Sequence, residues 1–128
     1  MTQRSSQRTK KRDKKAPIYS VVDLETTGTN VNHGDRIIQI GCVLVQDGEI
    51  INHFETKINP REKISRSIVQ LTGIEDKDVR KAPLFEDIAG TIYSLLAETT
   101  FVAHNVNFDF PFLNAELERA GYPSLSIP

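Results

Sequence analysis

Ile18-Tyr19-Ser20-Val21-Val22-Asp23-Leu24-Glu25, closed by Thr26-Thr27-Gly28, is the stretch that decides the fold. Its β-branched and aromatic body reads as a strand, and the polar Thr-Thr-Gly run ends it. A strand repeats every two residues, so Asp23 and Glu25 fall on one face at the strand's end. Two anions side by side repel. Beside Val21, Val22 and Leu24 they need a cation or hydrogen-bond donors to offset the cost of burial. The other possibility is a strand that stops at Val22 and leaves both acids in a solvated loop.

Outward from this stretch the chain alternates strands and helices, which is the α/β pattern. A polar loop with Asn30, Asn32, His33, Gly34 and Asp35 leads into Ile37 to Val45, apolar at almost every position, as in a central strand covered on both faces. Asp47-Gly48 has the chemistry of a two-residue hairpin turn, so Glu49 to Ile58 is predicted to return antiparallel. Asn59-Pro60 stops that strand, and Ile64 to Leu71 reads as a short helix closed by Gly73. From Pro83, set in the first turn, Leu84, Phe85, Ile88, Ile92, Leu95 and Leu96 recur at helical spacing. Thr100 to Ala103 reads as a short buried strand. Phe108, Phe112, Leu113, Leu117 and Ala120 then mark a helix that ends at Gly121.

The 128 residues, with 38% apolar and 26% charged, suit one globular domain. The longest apolar run, Ile37 to Val45, falls far short of the ~20 residues that cross a bilayer. No apolar segment follows the basic N-terminus, so no secretory signal is read and a cytoplasmic protein is expected. A lone Cys42 allows neither an internal disulfide nor a cysteine-based metal site. The net charge of −1 hides an asymmetry: residues 1–17 carry seven basic residues and one acid, a charge of +6, and the remainder carries −7. Residues 1–17 are therefore expected to be a basic disordered arm, either adding phosphate contacts or merely solvated, ahead of a folded part at 18–128.

A second cluster lies in Ala103-His104-Asn105-Val106-Asn107-Phe108-Asp109-Phe110-Pro111-Phe112-Leu113, where strand gives way to helix. Asp109 falls in the helix's first turn, where a carboxylate serves equally as a capping or dipole partner. Together with Asp23 and Glu25 it makes three carboxylates able to meet around hard cations. Oxygen-only ligands point to Mg²⁺ or Mn²⁺ rather than zinc.

Asp23-Leu24-Glu25-Thr26-Thr27-Gly28 resembles the first motif of the DnaQ-like 3′-5′ exonucleases, the DEDD superfamily, and His104-Asn105-x-x-Phe108-Asp109-x-x-Phe112-Leu113 resembles the second. Arg36-Ile37-Ile38-Gln39-Ile40-Gly41, Ile58-Asn59-Pro60, Leu71-Thr72-Gly73-Ile74 and Pro83-Leu84-Phe85 fall between them in the family's order. The nearest form is similar to the exonuclease domain of DinG-type helicases or PolC-type DNA polymerase III. The resemblance implies a ribonuclease H-like mixed sheet flanked by helices. It also implies release of nucleoside monophosphates from DNA 3′ ends, single-stranded or frayed, by two-metal hydrolysis with Mg²⁺ or Mn²⁺. Asp23, Glu25 and Asp109 would be the catalytic metal ligands. Thr26 and Phe108 would flank the terminal nucleotide, with Thr27 and Asn105 beside them in the substrate-binding set; local packing is the other account of these side chains. A helicase or polymerase module is an implied partner, and a membrane is not.

The family's third motif supplies a histidine base and a fourth aspartate. Residues 110–128 contain neither His nor Asp, so the domain is expected to be truncated before that motif and to leave an uncovered face or edge near Ser126-Ile127-Pro128. His33 and His53 read as surface residues and His104 as loop support. Two other functions stay open: a non-catalytic nucleic-acid-binding module and an exoribonuclease.

Overall fold

β1 (Ile18–Thr26) continues through both acids rather than stopping at Val22. Ser20, Val22, Leu24 and Thr26 are buried on one face, while Tyr19, Val21 and Asp23 are exposed on the other. The computed structural model describes residues 16–126. The arm expected over 1–17 lies outside the described residues except for Ala16 and Pro17. The carbonyl of Ala16 already meets the sheet, accepting from Gln46 Nε2 at 3.0 Å.

β2 (Ile37–Gln46) pairs antiparallel with β1, and β3 (Glu49–Lys57) antiparallel with β2. Asp47 (φ 54°) and Gly48 (φ 78°) both take positive φ, as the two-residue hairpin requires. β4 (Thr100–Val102) lies parallel to the other side of β1, giving a mixed sheet in the order β3-β2-β1-β4. A parallel return needs a crossover. Helices α1 (Arg66–Thr72), α2 (Asp76–Val79) and α3 (Phe85–Leu96) occupy it, and α4 (Val106–Arg119) follows β4.

The periodic apolar residues of α3 and α4 form the main core with the inner face of the sheet. Phe85, Ala89, Ile92 and Leu96 meet Phe112, Leu113 and Leu117 over Val22, Leu24, Ile40, Cys42 and Leu44. At the far end of β1 the register with β2 slips: Glu25 faces Gln39, but Thr26 faces Ile37. Ile38 is the extra residue of this bulge. It joins a second cluster with Ile64, Ile74 and Val79, whereas Ile37 stays in the main core. The bulge thus anchors α1 and α2 beside the strand end that carries the acids.

Several sequence expectations change in detail. β2 is not covered on both faces: Ile40, Cys42 and Leu44 are buried, but Val43 and Val45 on the other side are only half-buried. β4 is not a buried strand, because among the described residues it bonds to β1 alone and leaves Val102 exposed. A cleft of about 640 Å³ opens beside it, lined in part by Leu96, Phe101, Phe110 and Leu125. Pro83 sits one residue before the N-cap Leu84, outside the first turn, and Asp87 Oδ2 accepts from the Leu84 amide instead. α2 has no counterpart in the apolar pattern, being a single turn in which Asp78 Oδ2 accepts from the Glu75 amide.

Candidate active site

Asp23 and Glu25 project together from the outer face of β1, Asp23 exposed and Glu25 half-buried. The neighbouring strand leaves room for them. Gly41 lies opposite Asp23 without a side chain, and Gln39, opposite Glu25, turns away to donate from Nε2 to Glu55 at 3.0 Å. The acids therefore do not carry the full burial cost expected of a strand enclosed by Val22 and Leu24, whose side chains point the other way.

Asp109 reaches the same strand end from α4. It is buried, at 7% exposure, and the nearby backbone amides of Leu24 and of Asp109 itself favour its charged form. The side chain is thus aimed at β1 and goes beyond capping its own helix. Burial raises the Asp109 carboxyl above the ordinary carboxylate range and the charge of Asp23 raises it further, while those amides and the charge of His104 act against the rise. Glu25 is likewise raised, first by burial and then by Asp23 and Asp109. Three carboxylates from two elements therefore share one electrostatic field. Among the described residues no lysine or arginine forms an ion pair with any of them.

This donor set is all hard oxygen and is short of positive charge, which suits Mg²⁺ or Mn²⁺ chemically. The side chains do not stand as a closed cage: among the described residues no three His, Cys, Asp or Glu groups are gathered closely enough to hold a metal by themselves.

The threonines and aromatics expected at the substrate have defined local roles. Thr26 is buried and its hydroxyl donates to the Gly28 carbonyl at 2.6 Å. Thr27 Oγ1 donates to Asp35 Oδ1 at 3.3 Å and accepts from the Arg36 amide at 2.9 Å, closing the loop after β1. A β-carbon at Gly28 would press on the Asp35 carboxylate, which would have to shift. Asn105 is the exposed N-cap residue of α4, with no side-chain capping bond. Phe108 is half-buried, its ring 4.9 Å from that of Phe112.

Two features escaped the sequence. His104, assigned only loop support, places its charge within reach of Asp109. Glu116, at 1% exposure, accepts from Arg36 Nε at 2.9 Å and Nη2 at 2.8 Å and from the Ile37 amide at 3.1 Å. The signal was present as an acid within the apolar series Phe112, Leu113, Leu117, where a helix turns inward.

With this geometry in view, the family model RNase_T, described as Exonuclease, matches residues 20–126. The chain belongs to the exonuclease family. The domain is 42% identical over 104 residues to the 3′-5′ exonuclease DinG of Bacillus subtilis (strain 168), covering 81% of this chain and 11% of that protein. It is 42% identical over 111 residues to a PolC-type DNA polymerase III of Staphylococcus haemolyticus (strain JCSC1435), covering 87% of this chain and 8% of that protein. The chain thus spans about a tenth of the length of these curated relatives. Among solved structures, product-bound exonuclease I superposes with a TM-score of 0.74 at 22% identity, over 84% of this chain and 27% of that one. An E. coli exonuclease I complex with single-stranded DNA is a zinc-bound form with a TM-score of 0.75 at 22% identity, over 84% of this chain and 25% of that one. The ribonuclease H-like exonuclease fold, a mixed four-stranded sheet with flanking helices, is the fold of this domain.

Proposed function

We propose that this exonuclease-family domain removes nucleoside monophosphates from the 3′ end of DNA, with two divalent cations held by Asp23, Glu25 and Asp109. The observation that carries the proposal is the carboxylate trio of β1 and α4: burial and then the nearby acids raise the proton affinity of Glu25 and Asp109, and among the described residues no lysine or arginine forms an ion pair with any of the three. Such a field costs stability unless a cation enters it. Bound Mg²⁺ or Mn²⁺ would polarise the scissile phosphate and lower the pKa of an attacking water.

The chain's own residues orient and exclude. Asp23 and Glu25, fixed two residues apart on a strand, present oxygens in one direction, and Asp109 approaches from the helix on the other side. Phe108, half-buried on α4, would lie against the terminal base, with the Thr26-Thr27 turn and Asn105 beside the sugar and phosphate. Support for DNA as substrate comes from the names of the relatives, a DNA polymerase among them, and from exonuclease I complexes with dA13 and dT13 oligonucleotides. We place the domain in the cytoplasm, working beside a helicase or polymerase module; no described helix is long and apolar enough to cross a membrane.

Digestion of single-stranded oligonucleotides labelled at either end tests this function. In Mn²⁺ the 5′-labelled strand is expected to shorten one nucleotide at a time and the 3′ label to leave as a mononucleotide, with Asp23→Asn abolishing both. Internal cleavage, or loss of the 5′ label first, contradicts the proposal. DNA binding that survives Asp23→Asn with no cleavage at any enzyme concentration favours a binding module instead.

A further inference from the structure

We propose that Arg36 and Glu116 are positioning residues that set Asp109 of α4 against the Asp23 and Glu25 end of β1. The inference rests on the divalent-cation function above and adds the device that fixes the third ligand.

Arg36 is tied to the turn that follows the acids by both of its main-chain groups: the Thr27 amide donates to the Arg36 carbonyl at 2.8 Å, and the Arg36 amide to Thr27 Oγ1 at 2.9 Å. Its guanidinium then reaches across to α4 and donates twice to Glu116 in a parallel fork. A third donor, the Ile37 amide, reaches the same carboxylate from the residue paired with Thr26. Glu116 follows Asp109 by seven residues, two helical turns, so both project from one face of α4 about 10 Å apart along its axis.

The broad contact between α4 and the sheet is apolar, through Phe112, Leu113 and Leu117. Apolar contacts hold two elements together but specify their rotation and sliding weakly. A planar fork with a third amide specifies both, because the three bonds hold good geometry only at one setting of the helix. Glu116 is too deeply buried for water to replace a lost partner. A one-residue slide of α4 would carry Asp109 about 1.5 Å along the helix axis relative to the end of β1.

Calorimetric titration of the full chain with Mn²⁺ tests this, comparing wild type with Glu116→Gln, Arg36→Lys and Glu118→Gln. All four are checked by circular dichroism to be folded at the titration temperature. Glu116→Gln and Arg36→Lys are each expected to weaken Mn²⁺ binding about tenfold, as when the partner that orients a ligand is lost. Glu118→Gln removes the same charge from an exposed position of the same helix and is expected to bind as wild type. A clamp that only stabilises would lower the unfolding midpoint and leave the affinity alone. Wild-type affinity in a folded Glu116→Gln, or an equal loss in Glu118→Gln, overturns the proposal. If Glu116→Gln does not fold, Arg36→Lys keeps the charge and decides the matter on the same terms: a tenfold loss supports the clamp and wild-type affinity overturns it. A wild type that binds no Mn²⁺ contradicts the cation-binding function itself.

Discussion

Glu25 and Asp109 hold their protons more tightly in the folded chain than as isolated carboxyls, Glu25 through burial and then the nearby acids. A carboxyl raised on folding penalises the folded state once pH climbs past the unfolded pKa and through the folded one; below both values the penalty is absent. In metal-free buffer Glu25→Gln is therefore expected to raise the unfolding midpoint at neutral pH, with the gain disappearing in acid. Thermal melts across pH check this, and a lower midpoint at neutral pH would refute the shared field. Asp-x-Glu on a strand made Asp23 and Glu25 legible from spacing alone. Asp109 was legible only jointly, since one acid in a helix's first turn has an ordinary explanation. His104 was not, because its effect depends on a through-space approach to Asp109. Cys42 shows the opposite outcome of burial: its thiol is pushed up to about 11, which leaves it inert as a nucleophile.

Among the elements, α4 carries most of the consequence, since it packs on α3 and the sheet while presenting Asp109. Phe112, at 1% exposure, is its central core side chain. Phe112→Ala is expected to cost about 3–5 kcal/mol in urea unfolding, whereas Leu71→Ser on α1, at 80% exposure, should stay within about 0.5 kcal/mol. A small effect at Phe112 would mean that α4 is not docked as described. β1 to β3 and α3 and α4 were readable because their periods of two and 3.6 run over enough residues to repeat. α2 has four residues and no room for a period, and its only advance signal was the Glu75-x-x-Asp78 spacing. β4 was found but misjudged in burial. Three apolar residues look alike in a central strand and in one bonded to a single neighbour, and only the strand order separates the two cases.

Across the whole molecule, one sheet gathers chemistry at the end where β1, the β2 bulge and the start of α4 converge. Spacing could propose the acids but could not fix the Arg36–Glu116 bond, which joins residues eighty positions apart. Asp23, Glu25 and Asp109 acting as one cation site is the point on which the proposed chemistry turns. It is met most directly by Mn²⁺ titration calorimetry of the wild type against Asp109→Asn, a nearly isosteric change that removes one ligand charge. Saturable binding in the wild type, weakened about tenfold or more in a folded Asp109→Asn, is the predicted result. Equal binding by the two proteins would place the cation away from α4 and contradict the single shared site.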